Sequence, residues 1–230
     1  MRALVLSGGG LFGAWQAGAW IAKRDRFQPD LIVGCSVGSL NGYAIACGAT
    51  PEILREMWLQ SHLADFSHLD VYLRELTARY QPRTDLAVVV TRVPRLKPRI
   101  FRGPEITWRH LAASCAVPLV MKPVRLNGAF YADGGLLNPL PVYAAVELGA
   151  TEILALHCLP EFPSPWLRPF ARGFAAVAGV HPAVPRNISV RTILPSRRLG
   201  SLGDALHWKR ENIEAWLELG QTDAQKTFPL

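Results

Sequence analysis

The chain has 230 residues, 50% of them hydrophobic and 19% charged, with a formal net charge of +7 and a pI of about 9.6. That apolar content excludes a disordered chain, and the length fits one domain, residues 1–230, with a sizeable core. The basic balance favours anionic partners such as a phospholipid surface, and no stretch approaches the ~20 uninterrupted apolar residues of a membrane-spanning helix.

Ala3 to Leu6 reads as a buried strand, followed by Ser7-Gly8-Gly9-Gly10-Leu11-Phe12-Gly13 and a helix from Ala14 to Arg24. Glycines between a strand and a helix let backbone N–H groups converge on an anion. Gly8, Gly10 and Gly13 also fit the dinucleotide pattern Gly-x-Gly-x-x-Gly, but that site wants an acid at the end of the second strand. Here Asp30 precedes that strand, Leu31 to Val33, and the strand ends in Gly34-Cys35-Ser36-Val37-Gly38. The absence of Gly-Lys-Ser/Thr excludes a P-loop. The third reading is an oxyanion hole beside Ser36. Strand, Gly-x-Ser-x-Gly, helix is the context of a nucleophile elbow, in which Gly34 and Gly38 avoid clashes and the helix Leu40 to Cys47 aims its N-terminus at the serine.

Further helices are expected over Glu52–Leu59, Ser67–Arg79 with Ser67 as cap, and Pro104–Cys115. Asp85–Val93 reads as a buried strand. Arg92–Arg109 is basic and broken by prolines; lacking interleaved aromatics it predicts a solvated hairpin and no nucleic-acid partner. Met121–Leu126 and Ala129–Ala132 form a hairpin about Asn127-Gly128 that delivers Asp133-Gly134-Gly135. Pro141–Leu148 is a helix, Glu152–Cys158 a strand, Trp166–Val180 an amphipathic segment suited to a core or a membrane interface, Asn187–Leu194 a strand and Asp204–Leu219 a closing helix. Cys35, Cys47, Cys115 and Cys158 are widely spaced, as befits reduced buried thiols. With no signal-peptide pattern, a cytoplasmic protein with no metal site and no cofactor is expected, free or on a membrane face.

Taken together, the glycine loop, the elbow and Asp133-Gly134-Gly135 resemble the patatin-like phospholipase family. Ala113-Ser114-Cys115-Ala116-Val117-Pro118 and the run from Asp133 to Pro141 match it further. The resemblance implies a three-layer α/β fold with a mostly parallel central sheet, and a serine hydrolase cleaving fatty-acyl esters of lipids or phospholipids. It assigns Ser36 as nucleophile, Asp133 as its dyad partner and Gly8, Gly9 and Gly10 as the oxyanion loop, with Gly13, Gly34, Gly38, Gly134 and Gly135 supporting the motifs. It also implies a lipid or ester substrate. One departure is Phe12, where the family usually carries Arg or Lys; the expectation is an apolar ring lining the substrate cleft. The alternatives are a Ser-His-Asp esterase using His157, and a lipid- or nucleotide-binding module without catalysis.

Overall fold

The structure is a computed structural model and describes residues 1–60, 68–118, 120–160 and 184–227. Its strands are β1 (Arg2–Leu6), β2 (Leu31–Cys35), β3 (Asp85–Val93), β4 (Lys97–Arg102), β5 (Val124–Leu126), β6 (Ala129–Asp133), β7 (Glu152–Leu156) and β8 (Ser189–Ile193). The helices are α1 (Gly13–Lys23), α2 (Val37–Ala46), α3 (Pro51–Leu59), α4 (Leu69–Arg79), α5 (Trp108–Ser114), α6 (Val142–Glu147) and α7 (Arg210–Lys226).

The eight strands make one sheet in the order β5-β6-β3-β2-β1-β7-β8, with β4 added to β3. The run β3-β2-β1-β7-β8 is parallel, whereas β4 and β6 pair antiparallel with β3 and β5 pairs antiparallel with β6. The central parallel strands are apolar over Ala3–Leu6, Leu31–Val33, Leu86–Val90 and Ile153–Leu156 because both faces are covered, whereas the edge strand β8 carries Arg191 and Thr192. Alternation along each strand sends successive side chains to opposite layers. Leu4, Leu6, Ile32, Leu86 and Val88 face the layer that holds α1, α2, α5 and α7. Ala3, Val5, Leu31, Val33 and Ala87 face the layer of α6, with Ala144 and Ala145. This is the expected three-layer α/β fold.

Most expected elements are present, with shifted ends. The basic stretch does fold as a hairpin, β3–β4. The expected helix from Pro104 divides: a 3-10 turn at Gly103–Glu105, then α5. The closing helix begins at Arg210 instead of Asp204. The reason is local competition for the backbone: the Asp204 carboxylate accepts from Ser201 N–H (2.9 Å) and Ser201 Oγ (2.7 Å), which fixes a turn there. The expected cap Ser67 and the amphipathic segment 166–180 lie outside the described residues.

Candidate active site

The site forms where β1, β2 and β6 end. Ser36 follows β2 with φ 52° and ψ −133°, a conformation that costs a non-glycine residue about 1–3 kcal/mol. The surroundings hold it there. Its N–H donates to Ser114 Oγ (2.8 Å), and that hydroxyl donates to the Val89 carbonyl (2.8 Å). Its own carbonyl accepts from both Ser39 N–H (2.8 Å) and Ser39 Oγ (2.6 Å). Gly38 begins the next helix so close to β1 that a Cβ there would lie 2.4 Å from the Leu6 carbonyl oxygen, and a Cβ on Gly34 would lie 2.3 Å from that of Gly38. The two glycines of the motif are therefore demanded by the tightness of the elbow.

Asp133 closes β6. Its N–H donates to the Ala116 carbonyl (3.0 Å) and its carbonyl accepts from Thr91 Oγ1 (2.8 Å). Its Oδ1 accepts from Gly135 N–H at 2.7 Å. Gly134 runs against β3, where an added Cβ would lie 2.1 Å from the Val89 carbonyl oxygen. The Ser36 hydroxyl faces the Asp133 carboxyl and, like the Gly135 amide, favours its ionised form. Both side chains are buried, at 6% and 5% exposure. Burial dominates the acid's electrostatics and raises its pKa from 3.8 to about 6, against the opposing pull of Ser36 and the Gly135 amide.

The glycine loop lies against this pair. A Cβ on Gly8 would stand 3.2 Å from Ser36 Cβ, and one on Gly135 would stand 3.1 Å from Asp133 Oδ1 and 3.9 Å from Gly8 Cα. The three loop glycines differ in what their amides do. Gly8 N–H is already donated to the Pro139 carbonyl (2.8 Å), so it fixes the loop. The amides of Gly9 and Gly10 have no partner among the described residues. Gly13 opens α1 against Val37 and Trp58, with no room for a side chain.

Phe12 does not line the cleft, contrary to expectation. It is 1% exposed and its ring meets Trp216 edge-on at 5.0 Å, inside the layer that α1 and α7 form. The 3-10 turn at Gly10–Phe12 rotates this residue away from the loop amides and into the core. His157 follows β7. Burial lowers its pKa to about 4, its Nδ1 has no partner among the described residues, and neither Ser36 nor Asp133 bonds to it.

Several supporting residues escaped the sequence reading. Ser114 lies within a matched segment but had been given no role. Gln16 donates to the carbonyls of Ser7 (3.2 Å) and Leu156 (3.0 Å), and Asn41 donates to the Gly13 carbonyl (2.9 Å) and to Gln16 Oε1 (3.0 Å). Trp58 Nε1 in turn donates to Asn41 Oδ1 at 2.9 Å. This buried network pins both ends of the glycine loop. The available signal was two polar residues, Gln16 and Asn41, placed in otherwise apolar helices.

A serine on a strand-to-helix elbow, faced by a buried carboxyl and a glycine loop, stands here in a three-layer α/β protein. The family model for patatin-like phospholipases matches residues 4–88 and 54–146, together well over half of the sequence, and the chain belongs to that family. Among solved structures, VipD from Legionella pneumophila superposes with a TM-score of 0.57 at 13% identity, over 98% of this chain and 66% of that one. The type III effector protein ExoU gives a TM-score of 0.45 at 10% identity, over 98% of this chain and 52% of that one, too weak a likeness to build on. This chain thus spans just under two thirds of the first and about half of the second. At such identities the likeness bears on the fold alone. No helix among the described residues is long and apolar enough to cross a membrane.

Proposed function

We propose that the protein is a serine lipid acyl hydrolase that cleaves fatty-acyl esters through Ser36 and Asp133. The observation that carries this reading is the convergence of a strained serine and a buried carboxyl of raised pKa beside two glycine amides that have no partner among the described residues.

Ser36 Oγ attacks the ester carbonyl while its proton passes to the Asp133 carboxylate. The carbonyl oxygen becomes an oxyanion, which accepts hydrogen bonds from the Gly9 and Gly10 N–H groups, helped by the N-terminal end of α2. When the tetrahedral intermediate collapses, Asp133 returns the proton to the leaving alcohol. Water then adds to the acyl-serine with Asp133 again as base, releasing the fatty acid and restoring Ser36. A carboxylate is a weak base for a hydroxyl; desolvation brings Asp133 closer to the working pH and so raises its efficiency. The reaction needs no cofactor. Substrate at a bilayer surface fits the +7 charge, and the protein then works as a peripheral enzyme on anionic lipid.

The test is active-site labelling with a fluorophosphonate together with hydrolysis of a lipid ester. Ser36→Ala should lose both while its thermal melt stays cooperative, and His157→Ala should keep both. Turnover by Ser36→Ala near the wild-type rate would overturn the reading, and loss of turnover in His157→Ala with an active Asp133→Asn would replace it with the histidine-based one.

A further inference from the structure

A groove of about 1280 Å³ opens between α4, α5 and the β5–β6 hairpin. It is roomier than the ~300–1,000 Å³ typical of a drug-sized ligand. Neither Ser36 nor Asp133 lines it. Its wall is apolar, with Trp108, Met121 and Val124 half-buried along it, and its rim carries Arg109, Lys122 and Arg125, all exposed. These three cations have no acidic partner among the described residues. Asp70, the acid among the described lining residues, already faces Arg74 at 3.7 Å. Arg74 and Arg109 also flank the Trp108 ring, with their guanidinium carbons 4.1 and 5.3 Å from its centroid.

The same side of the molecule carries exposed apolar side chains. Val120 lines the groove at 47% exposure. Phe130 is 52% exposed and stands directly opposite Arg125 in the β5–β6 register, so the two share a face of the hairpin. An exposed aromatic beside exposed cations matches the boundary between lipid headgroups and acyl chains.

We infer that this groove holds an anionic phospholipid of the bilayer, with an acyl chain along Trp108, Met121 and Val124 and the phosphate among Arg109, Lys122 and Arg125. The site seats the enzyme on anionic membranes next to, and separate from, the ester-cleaving pair. The proposal rests on the lipid reading above for the class of ligand, but its test needs no turnover.

Binding is measured by co-sedimentation with vesicles of phosphatidylcholine, phosphatidylcholine with phosphatidylglycerol, and phosphatidylcholine with oleate. Wild type and Ser36→Ala should both prefer the phosphatidylglycerol vesicles. The triple variant Arg109→Gln, Lys122→Gln, Arg125→Gln should lose about a hundredfold in affinity for them, at roughly fivefold per cation removed. It should keep wild-type kcat/KM on a soluble short-chain ester. A control triple with the same charge change elsewhere, Arg26→Gln, Arg186→Gln, Arg197→Gln, should lose no more than about threefold, because none of these residues lines the groove and exposed charges beyond a Debye length of ~10 Å act weakly. Trp108→Ala should weaken binding and Trp108→Phe restore it, with thermal melts confirming that each variant is folded. Equal losses in the two triples would reduce the effect to net charge and overturn the proposal. Unchanged binding by the groove triple, loss of short-ester hydrolysis in it, or sensitivity confined to oleate vesicles would overturn it as well. Persistent hydrolysis by Ser36→Ala would remove the catalytic reading while leaving the binding result intact.

Discussion

Ser36 and Asp133 meet because the strands that carry them end head to head along one edge of β3. Cys35 pairs with Val89 in parallel, and Asp133 pairs with Val90, the next residue, in antiparallel. β4 occupies the opposite edge of β3 over Ala87–Arg92, so β2 and β6 share the remaining one. One strand arrives from each direction, and Ser36 and Asp133 stand at the join. Segment 113–118 clamps both sides of it, through Ser114 to the Ser36 amide and through the Ala116 carbonyl to the Asp133 amide.

The first prediction concerns the base. Asp133→Asn retains size and the bond from Gly135 but cannot accept the Ser36 proton, so kcat should fall by about 10²–10⁴. In the wild type, kcat/KM should rise with pH through a midpoint of about 6 and then level off, since only the ionised carboxyl is active. A pH–rate profile of both proteins checks this, and the variant's residual rate should lack that acid limb.

The same carboxyl should make the enzyme less stable at neutral pH. Its pKa in the folded protein, about 6, lies above its ordinary 3.8. The folded state therefore binds the extra proton between about pH 4 and pH 6, and stability falls as pH rises through that window. The drop is roughly 3 kcal/mol at full effect. Asp133→Asn should accordingly melt higher than wild type at pH 8, and the difference should vanish below about pH 4. Calorimetry across this range measures it.

Gly134→Ala should be far more harmful than Gly128→Ala. A Cβ at 134 meets the Val89 carbonyl oxygen at 2.1 Å and forces β6 away from β3 where Asp133 is placed. Overpacking of this kind costs about 1–3 kcal/mol or more, and kcat should fall with it. At position 128 nothing lies within 4 Å, so only the strained φ of +78° is felt, at about 1 kcal/mol, and activity should persist. Denaturant melts and initial rates of the two variants make the comparison.

Phe12→Arg should unfold or strongly destabilise the protein without redirecting its substrate preference. The side chain is enclosed against Trp216, and an unpaired guanidinium there costs several kcal/mol. Phe12→Leu should fold and keep the wild-type ratio of kcat/KM between a neutral and a phosphorylated ester. A shifted ratio in Phe12→Leu would place the residue in contact with substrate after all.

The local elements were legible in the sequence because their signals are local. The run Leu31–Val33 before Gly34-Cys35-Ser36-Val37-Gly38 gives strand, turn and helix from chain sterics alone, and Asn127-Gly128, with φ of 45° and 78°, gives a hairpin turn. The order of the glycine loop, the elbow and Asp133 carried the family resemblance. What only the tertiary structure decided was everything set by pairing between distant segments. That β2 and β6 share one edge of β3 depends on strand pairing, which no window of sequence contains. That Gly8 gives its amide to Pro139, while those of Gly9 and Gly10 find no partner among the described residues, depends on a loop distant in sequence. Phe12 was misplaced for the same reason: a residue between loop glycines can face either the cleft or the core, and the choice was made by Trp216 on the closing helix, which offers an aromatic partner out of water.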